Sequence, residues 1–303
     1  MSEPRGLSVP ARSLVLSLVP LLVGGCSADA EPAVAQDWRT VTSVRRASGE
    51  EALRVEVEYG IGELSITPAA GDMLYRARLR YDANTFEPEI DYESGELHVG
   101  IDGDDGVNIR GDEAGELALE LGTGVPLTLD LKFGAVEANL ELGGLHLHDV
   151  SIATGASETT LRFSHPNPVR MESLEVDAGA AAIRLYGLGN ANAERFSFEG
   201  GMADVLLDFG GAWRANASAR IAMGLGSVTV RVPRNIGVSI QKSSFFASFD
   251  ADGFVSRGSE YFSANWDDAE YRLEIDVDSA LGSVDIDWID AAVSTTMDPR
   301  RSP

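Results

Sequence analysis

Residues 224–233 read "GLGSVTVRVP". Two glycines separated by one residue mark a backbone corner, and Val228 and Val230, alternating with Thr229, mark a half-buried strand after it. Similar words stand near both ends of the chain, "GIGELSITP" at 60–68 and "ALGSVDIDW" at 280–288. Working outward, five units align by hand: "LDLKFGAVEANLEL" from Leu129, "VSIATGASETTLRF" from Val150, "LEVDAGAAAIRLYG" from Leu174, "FSFEGGMADVLLDF" from Phe196 and "ARIAMGLGSVTVRV" from Ala219. Each has an apolar residue three before a glycine: Leu131/Gly134, Ile152/Gly155, Val176/Gly179, Phe198/Gly201 and Ile221/Gly224. An alternating pair follows each: Leu140/Leu142, Leu161/Phe163, Ile183/Leu185, Val205/Leu207 and Val228/Val230. The glycines are 21, 24, 22 and 23 residues apart.

A fixed period of roughly 20–25 residues marks a repeat architecture. Each unit holds a strand, a glycine corner and a second strand, too short to bury its own apolar face. Stacking the units gives a shared core. The expected fold is therefore all-β: a repeat-built, β-solenoid or β-helix-like stack of short strands with glycine corners, flanked by hairpin caps. The two echoes are expected to form the first and last coils, 73–98 to form a hairpin and 271–289 to form a final hairpin or coil. An antiparallel sandwich also fits short strands with turn signals, but the glycine register favours the stack.

The N-terminus reads as a targeting segment. Arg5 and Arg12 precede an apolar run at 14–23 that Pro20 interrupts. About 20 apolar residues are needed to span a bilayer, so the run is a signal-peptide core. Gly24 and Gly25 stand directly before Cys26, the single cysteine. That arrangement looks like a bacterial lipobox, with Cys26 as the lipid attachment point and the membrane as the first partner. With Ser27 rather than Asp next, the outer membrane is favoured over the inner. The expected organisation is a signal peptide at 1–25, a lipidated cysteine and flexible tether at 26–48, one β domain at 49–290 and a disordered tail at 291–303.

The formal net charge is −24. Residues 82–120 carry 13 acids against Arg110, and residues 250–290 carry 12 acids against Arg257 and Arg272. Two acidic blocks thus flank a nearly balanced middle. Such charge disfavours nucleic acid, whose phosphates need a basic footprint. It suits solvated end caps that discourage end-to-end stacking.

At this point the sequence resembles the toast-rack domain of bacterial envelope proteins, related to the C-terminal domain of LiaF-like regulators of the cell-wall stress response. The matching words run in order: "LRVEVEYGIGELSITP", "LYRARLRYDANTFEPEIDY", "GVPLTLDLKFGAVEANLELGGLHLHDVSIATGASETTLRF", "GLGSVTVRVPRNIGVSI" and "YRLEIDVDSALGSVDID". They cover roughly 52–287. The resemblance implies a repeat-built all-β domain on the outer side of a membrane, without enzymatic chemistry and without catalytic residues to carry over. In LiaF-like proteins the domain accompanies transmembrane helices and signals with a histidine kinase. Here a lipid anchor replaces the helices.

Candidate chemistry is sparse. His146 and His148, one residue apart with Asp149 adjacent, could share a metal only if a neighbouring coil supplied a third ligand. A polar outward face, with Leu145 and Leu147 pointing inward, explains them better, so no metal site and no cofactor are assigned. "DGDDG" at 102–106 and "DADG" at 250–253 fall short of a calcium-binding EF-hand loop. No catalytic residues are assigned. Aromatics cluster at 243–268, and Phe245, Phe246, Phe249, Phe254, Tyr261 and Trp266 form the candidate patch for a glycan or protein partner. The sequence thus reads as a non-enzymatic, lipid-anchored envelope protein that binds, senses or scaffolds, with a role in the envelope stress response. The alternatives are a polysaccharide-binding or polysaccharide-acting β-helix, or a self-assembling surface protein.

Overall fold

Alternating apolar residues force alternate side chains to opposite faces, and glycine corners let a strand bend without losing that alternation. The computed structural model describes residues 36–103 and 115–290, with only the backbone at 102, 103 and 244–246. Its N-terminal strands are β1 (Trp38–Arg46), β2 (Leu53–Ala69), β3 (Met73–Asp82), β4 (Phe86–Glu93), β5 (Glu96–Gly103) and β6 (Glu116–Gly122). Next come β7 (Pro126–Glu141), β8 (His146–Thr154), β9 (Glu158–Arg162), β10 (Met171–Tyr186), the short helix α1 (Leu188–Ala191), β11 (Ala193–Asp208) and β12 (Ala217–Pro233). The chain closes with β13 (Gly237–Asp250), β14 (Phe254–Arg257), β15 (Glu260–Ser263) and β16 (Arg272–Ile289).

Long strands such as β10, β11 and β12 each make one coil, with a first arm, a corner and a second arm. Neighbouring coils pair in parallel and in register. Strands β8 and β9 share one coil, and β5 and β6 share another, pairing respectively with the first and second arms of β2. Along the stack the coils run β5/β6, β2, β7, β8/β9, β10, β11, β12, β16, β13. One inward row of first arms joins Val57, Leu131, Ile152, Val176, Phe198, Ile221 and Val277. The matching row of second arms joins Ile66, Leu140, Leu161, Leu185, Leu207, Val230 and Ile286. All fourteen are buried, and each such side chain contributes about 1.5–3 kcal/mol of burial.

Those rows correct the register read from sequence. Leu185, not Ile183, is the partner of Leu161. The residue opposite Ile183 is Thr159, which is fully buried with its hydroxyl 3.1 Å from that of Ser157. A polar residue inside the core made the hand alignment slide to the next apolar pair.

The corner glycines stack as expected. A Cβ on Gly224 would stand 2.6 Å from the carbonyl oxygen of Gly201, and one on Gly201 would stand 3.0 Å from that of Gly179. The backbones of successive corners crowd a side chain at Gly134, Gly179, Gly201 and Gly224, whereas Gly155 has ordinary contact distance to Gly134. Gly226, with φ 141°, adopts a conformation closed to L-residues besides facing the Ala203 carbonyl.

The two echoes of the corner word are not the first and last coils. β2 lies second, inside β5/β6, and β16 lies between β12 and β13. At the N-terminal end the chain makes the inner coil first and then lays β5/β6 outside it, and at the other end it makes β13 first and then threads β16 beneath it, so neither terminal coil is an echo. The fold also begins before residue 49. β1 pairs antiparallel with β3 from Trp38 onward, because its alternation ("WRTVTSVRR") supplies a third strand to the N-terminal cap.

Candidate functional site

The position two residues before each corner glycine points outward. Register stacks these positions into one row: Glu58, Lys132, Ala153, Asp177, Glu199, Ala222 and Asp278. Beside it runs the row of corner glycines. Because glycines leave no side chains there, the surface sinks into a trough of about 1120 Å³ that crosses seven coils. Four carboxylates and one ammonium form its charged wall. Lys132 Nζ donates to Glu56 Oε1 at 2.9 Å and to Glu58 Oε1 at 3.3 Å. The Lys132 hydrogen bond holds the Glu56 carboxyl below the usual carboxylate range, and the two glutamates push Lys132 up to about 12. Among the described residues, Asp177, Glu199 and Asp278 are paired with no cation, and two buried hydroxyls of the lining, on Tyr59 and Thr154, have no hydrogen-bond partner. On the far side of the corner, Met202, Leu225 and Leu281 are partners in one ladder row and are all exposed.

The aromatic candidates sit at the far end of the stack. Phe249 and Tyr261 lie 5.1 Å apart with Lys242 Nζ 4.7 Å above the Phe249 ring. Phe254 stacks on Trp288 at 4.8 Å. Phe249, Phe254 and Tyr261 are half-buried against the core, and Trp266 packs on Phe262 away from them. Only the backbone of Phe245 and Phe246 is described, as part of β13, and Cys26 lies outside the described residues. The histidines do not converge: His98 faces Glu56 and Glu89, and His165 Nδ1 lies 2.9 Å from the Ser164 hydroxyl. Among the described residues, no group of three His, Cys, Asp or Glu is placed to hold a metal. Nor is any helix long and apolar enough to cross a membrane.

Sequence reading missed the trough. The signal was available: an acid two residues before a corner glycine, or before Ala280, recurs in four coils.

Residues 34–172 match the family model described as the N-terminal domain of toast_rack, DUF2154. Over those residues the chain is similar to a toast-rack N-terminal domain. The match ends as β10 begins, and β10 to β16 continue the same rows past the edge of the matched toast-rack region. No curated protein matches the chain. Among solved structures, a candidate cell adhesion protein from Clostridium sporogenes is similar at 17% identity, over 84% of this chain and 100% of that one, with a TM-score of 0.44. A candidate adhesin from Parabacteroides merdae is similar at 10% identity, over 83% and 97%, with a TM-score of 0.36. A candidate lipid binding protein from Parabacteroides distasonis is similar at 12% identity, over 82% and 97%, with a TM-score of 0.32.

Proposed function

We propose that this toast-rack protein is a non-enzymatic envelope protein, anchored through a lipid on Cys26, that binds an extended glycan or protein partner along the corner trough and serves the envelope stress response. The trough carries the reading: a continuous channel over seven coils suits a long ligand better than a compact substrate. The domain then acts as a rigid ruler held off the membrane by its tether.

The ligand test is capture from envelope extract by the purified domain, compared with Asp177→Lys and Glu199→Lys. One defined glycan or protein should be retained by the parent and lost by both variants. Equal capture by all three would exclude the trough. For the anchor, Cys26→Ser should release the protein from the membrane fraction, and unchanged fractionation would refute lipid attachment.

One observation favours a second reading. Asp177 and Glu199 are ladder partners on adjacent coils, and neighbouring strands lie about 4.8 Å apart. Retaining glycosidases hold two carboxyls about 5–5.5 Å apart. That reading requires oligosaccharide release from an envelope glycan, lost in both Asp177→Asn and Glu199→Gln; no release leaves the binding reading.

A further inference from the structure

The two ends of the stack are finished differently. At the N-terminal end β4 covers β5 along its length and β3 covers β6, with β1 beyond β3. At the other end β15 covers β13 only at Ser239, Ile240 and Gln241. From Lys242 to Asp250, β13 pairs with β16 on one side, and no described strand pairs with its other side. The remaining free edges are guarded. β1 carries Arg39, Arg45 and Arg46, β4 carries Pro88 among four acids, and β14 is four residues long. Such charges, prolines and short lengths are how sheets avoid unwanted pairing. The nine-residue edge of β13 has charge only at its two ends.

The direction of its backbone groups follows from the register. Ala180 and Ala182 donate to the preceding coil, to the carbonyls of Gly155 and Ser157. Ala181 between them therefore donates toward the following coil. Ala181, Ala203, Gly226, Gly282 and Ala247 are successive partners. The first arms have the opposite phase, because the corner residue reverses it: Gly155 N donates to Phe133 O of the preceding coil while its carbonyl accepts from Ala180 N of the following one, and at the start of β13 Gly237 N donates to Tyr271 O while Val238 N turns away to Ser263 Oγ. The Ala247 and Phe249 amides thus face the open edge.

Charge selects what can pair there. Asp250 lies on the edge strand, and Asp276, Asp278 and Asp285 lie one strand back, opposite Gln241, Ser243 and Asp250. Lys242 is the cation on this edge, and it lies over the Phe249 and Tyr261 rings. Arg220 lies a further strand back, opposite Asp276. A second copy presenting the same end would bring aspartates against aspartates within about one screening length. A basic strand meets the opposite.

We propose that residues 242–250 are a strand-addition site for an extended, basic segment of a partner polypeptide, which pairs through its backbone as the next strand of the stack. Main-chain bonds supply the affinity in this mode, and side chains on one face supply the selection. The site shares Asp278 with the wall of the corner trough but uses neither Asp177 nor Glu199.

The probe is a nine-residue peptide alternating lysine and valine, titrated into the purified full chain by calorimetry. It should bind. N-methylation of every second peptide amide should weaken binding by at least about tenfold. Glutamate in place of lysine should abolish it, and raising salt from about 0.05 to about 0.5 M should weaken it. Ala247→Pro removes one amide on the open side and should also weaken binding by about tenfold with the melting temperature kept. The N-methylated peptide needs no protein variant, so the test stands even if Ala247→Pro fails to fold. Absence of binding, equal binding of the N-methylated peptide, or loss of binding in Glu199→Lys would overturn the proposal. So would a dimer of the chain that the peptide does not dissociate.

Discussion

Gly226 meets two constraints at once, a φ of 141° and the Ala203 carbonyl against its Cα. Either alone excludes a side chain; relief of one leaves the other. Gly226→Ala should therefore cost about 2–4 kcal/mol and lower the melting temperature by several degrees. Gly124 lies in an open turn with nothing near a built Cβ, and Gly124→Ala should melt with the parent. Equal melting of the two variants would remove the corner argument. Lys132 makes a different kind of contribution. The stability from the depressed Glu56 carboxyl stands in full above its ordinary value of 4.5 and fades as pH falls through the lowered one. The stability from Lys132 stands below 10.5 and fades only as pH rises through about 12. Lys132→Met should thus melt below the parent throughout the neutral range. The two melting curves should converge as pH falls through the lowered Glu56 value.

Closing loops between coils are held by asparagines. Asn167 is fully buried; its Nδ2 donates to Leu147 O at 2.8 Å and Ala191 O at 3.2 Å, and its Oδ1 accepts from Leu147 N and Val169 N. Asn190 bridges Phe163 O and Ala212 N in the next loop. Asn167→Ala would strand four backbone groups, and about 2–4 kcal/mol should be lost in urea unfolding. These loops were illegible in the sequence. "SHPNPV" carries no periodicity, and apart from Val169 N the partners of Asn167 are backbone groups of Leu147 and Ala191, 20 and 24 residues away, which no local pattern reports. The corners were legible because their steric demand admits one residue type. The rows failed only where Thr159 entered the core, since a hydropathy pattern cannot see a hydroxyl satisfied by Ser157. Strand order was illegible for a related reason: parallel in-register coils bury the same faces in any order, so pattern alone does not put β16 beneath β13. That order has a testable consequence. Among the described strands, only β16 joins Phe246–Asp250 of β13 to the stack, so β13 amides should exchange with hydrogen no slower than those of β16. A chain ending at residue 271 should lose protection in β13 while β7 to β11 keep theirs.

Charge is distributed over the whole molecule by the order of the coils. The acidic block at 82–120 builds β4, β5 and β6 at one end, and the block at 250–290 builds β14, β15 and β16 at the other. The middle coils carry compensated rows, with Arg184 facing Glu158 and Arg195 facing Glu172 at 3.0–3.3 Å. Such exposed pairs each contribute little, and salt weakens them only slightly in absolute terms. Repulsion within each end is only partly compensated: Asp276 and Asp278 share one arm of β16, Asp285 and Asp287 share the other, and Arg220 and Arg231 stand opposite Asp276 and Asp287 alone. With a net charge of −24, self-repulsion opposes the compact state more than the ion pairs favour it. Salt shortens the reach of that repulsion to about 8 Å at physiological strength and about 3 Å at 1 M. The melting temperature should therefore rise by a few degrees between about 0.02 and about 0.5 M sodium chloride. A fall over that range would mean that pairs such as Lys132–Glu56 outweigh the end charges. Calcium at matched ionic strength should add nothing beyond screening if the acids act as a diffuse field. An extra rise with calcium, absent with sodium, would instead reveal a bound cation at one of the acidic ends.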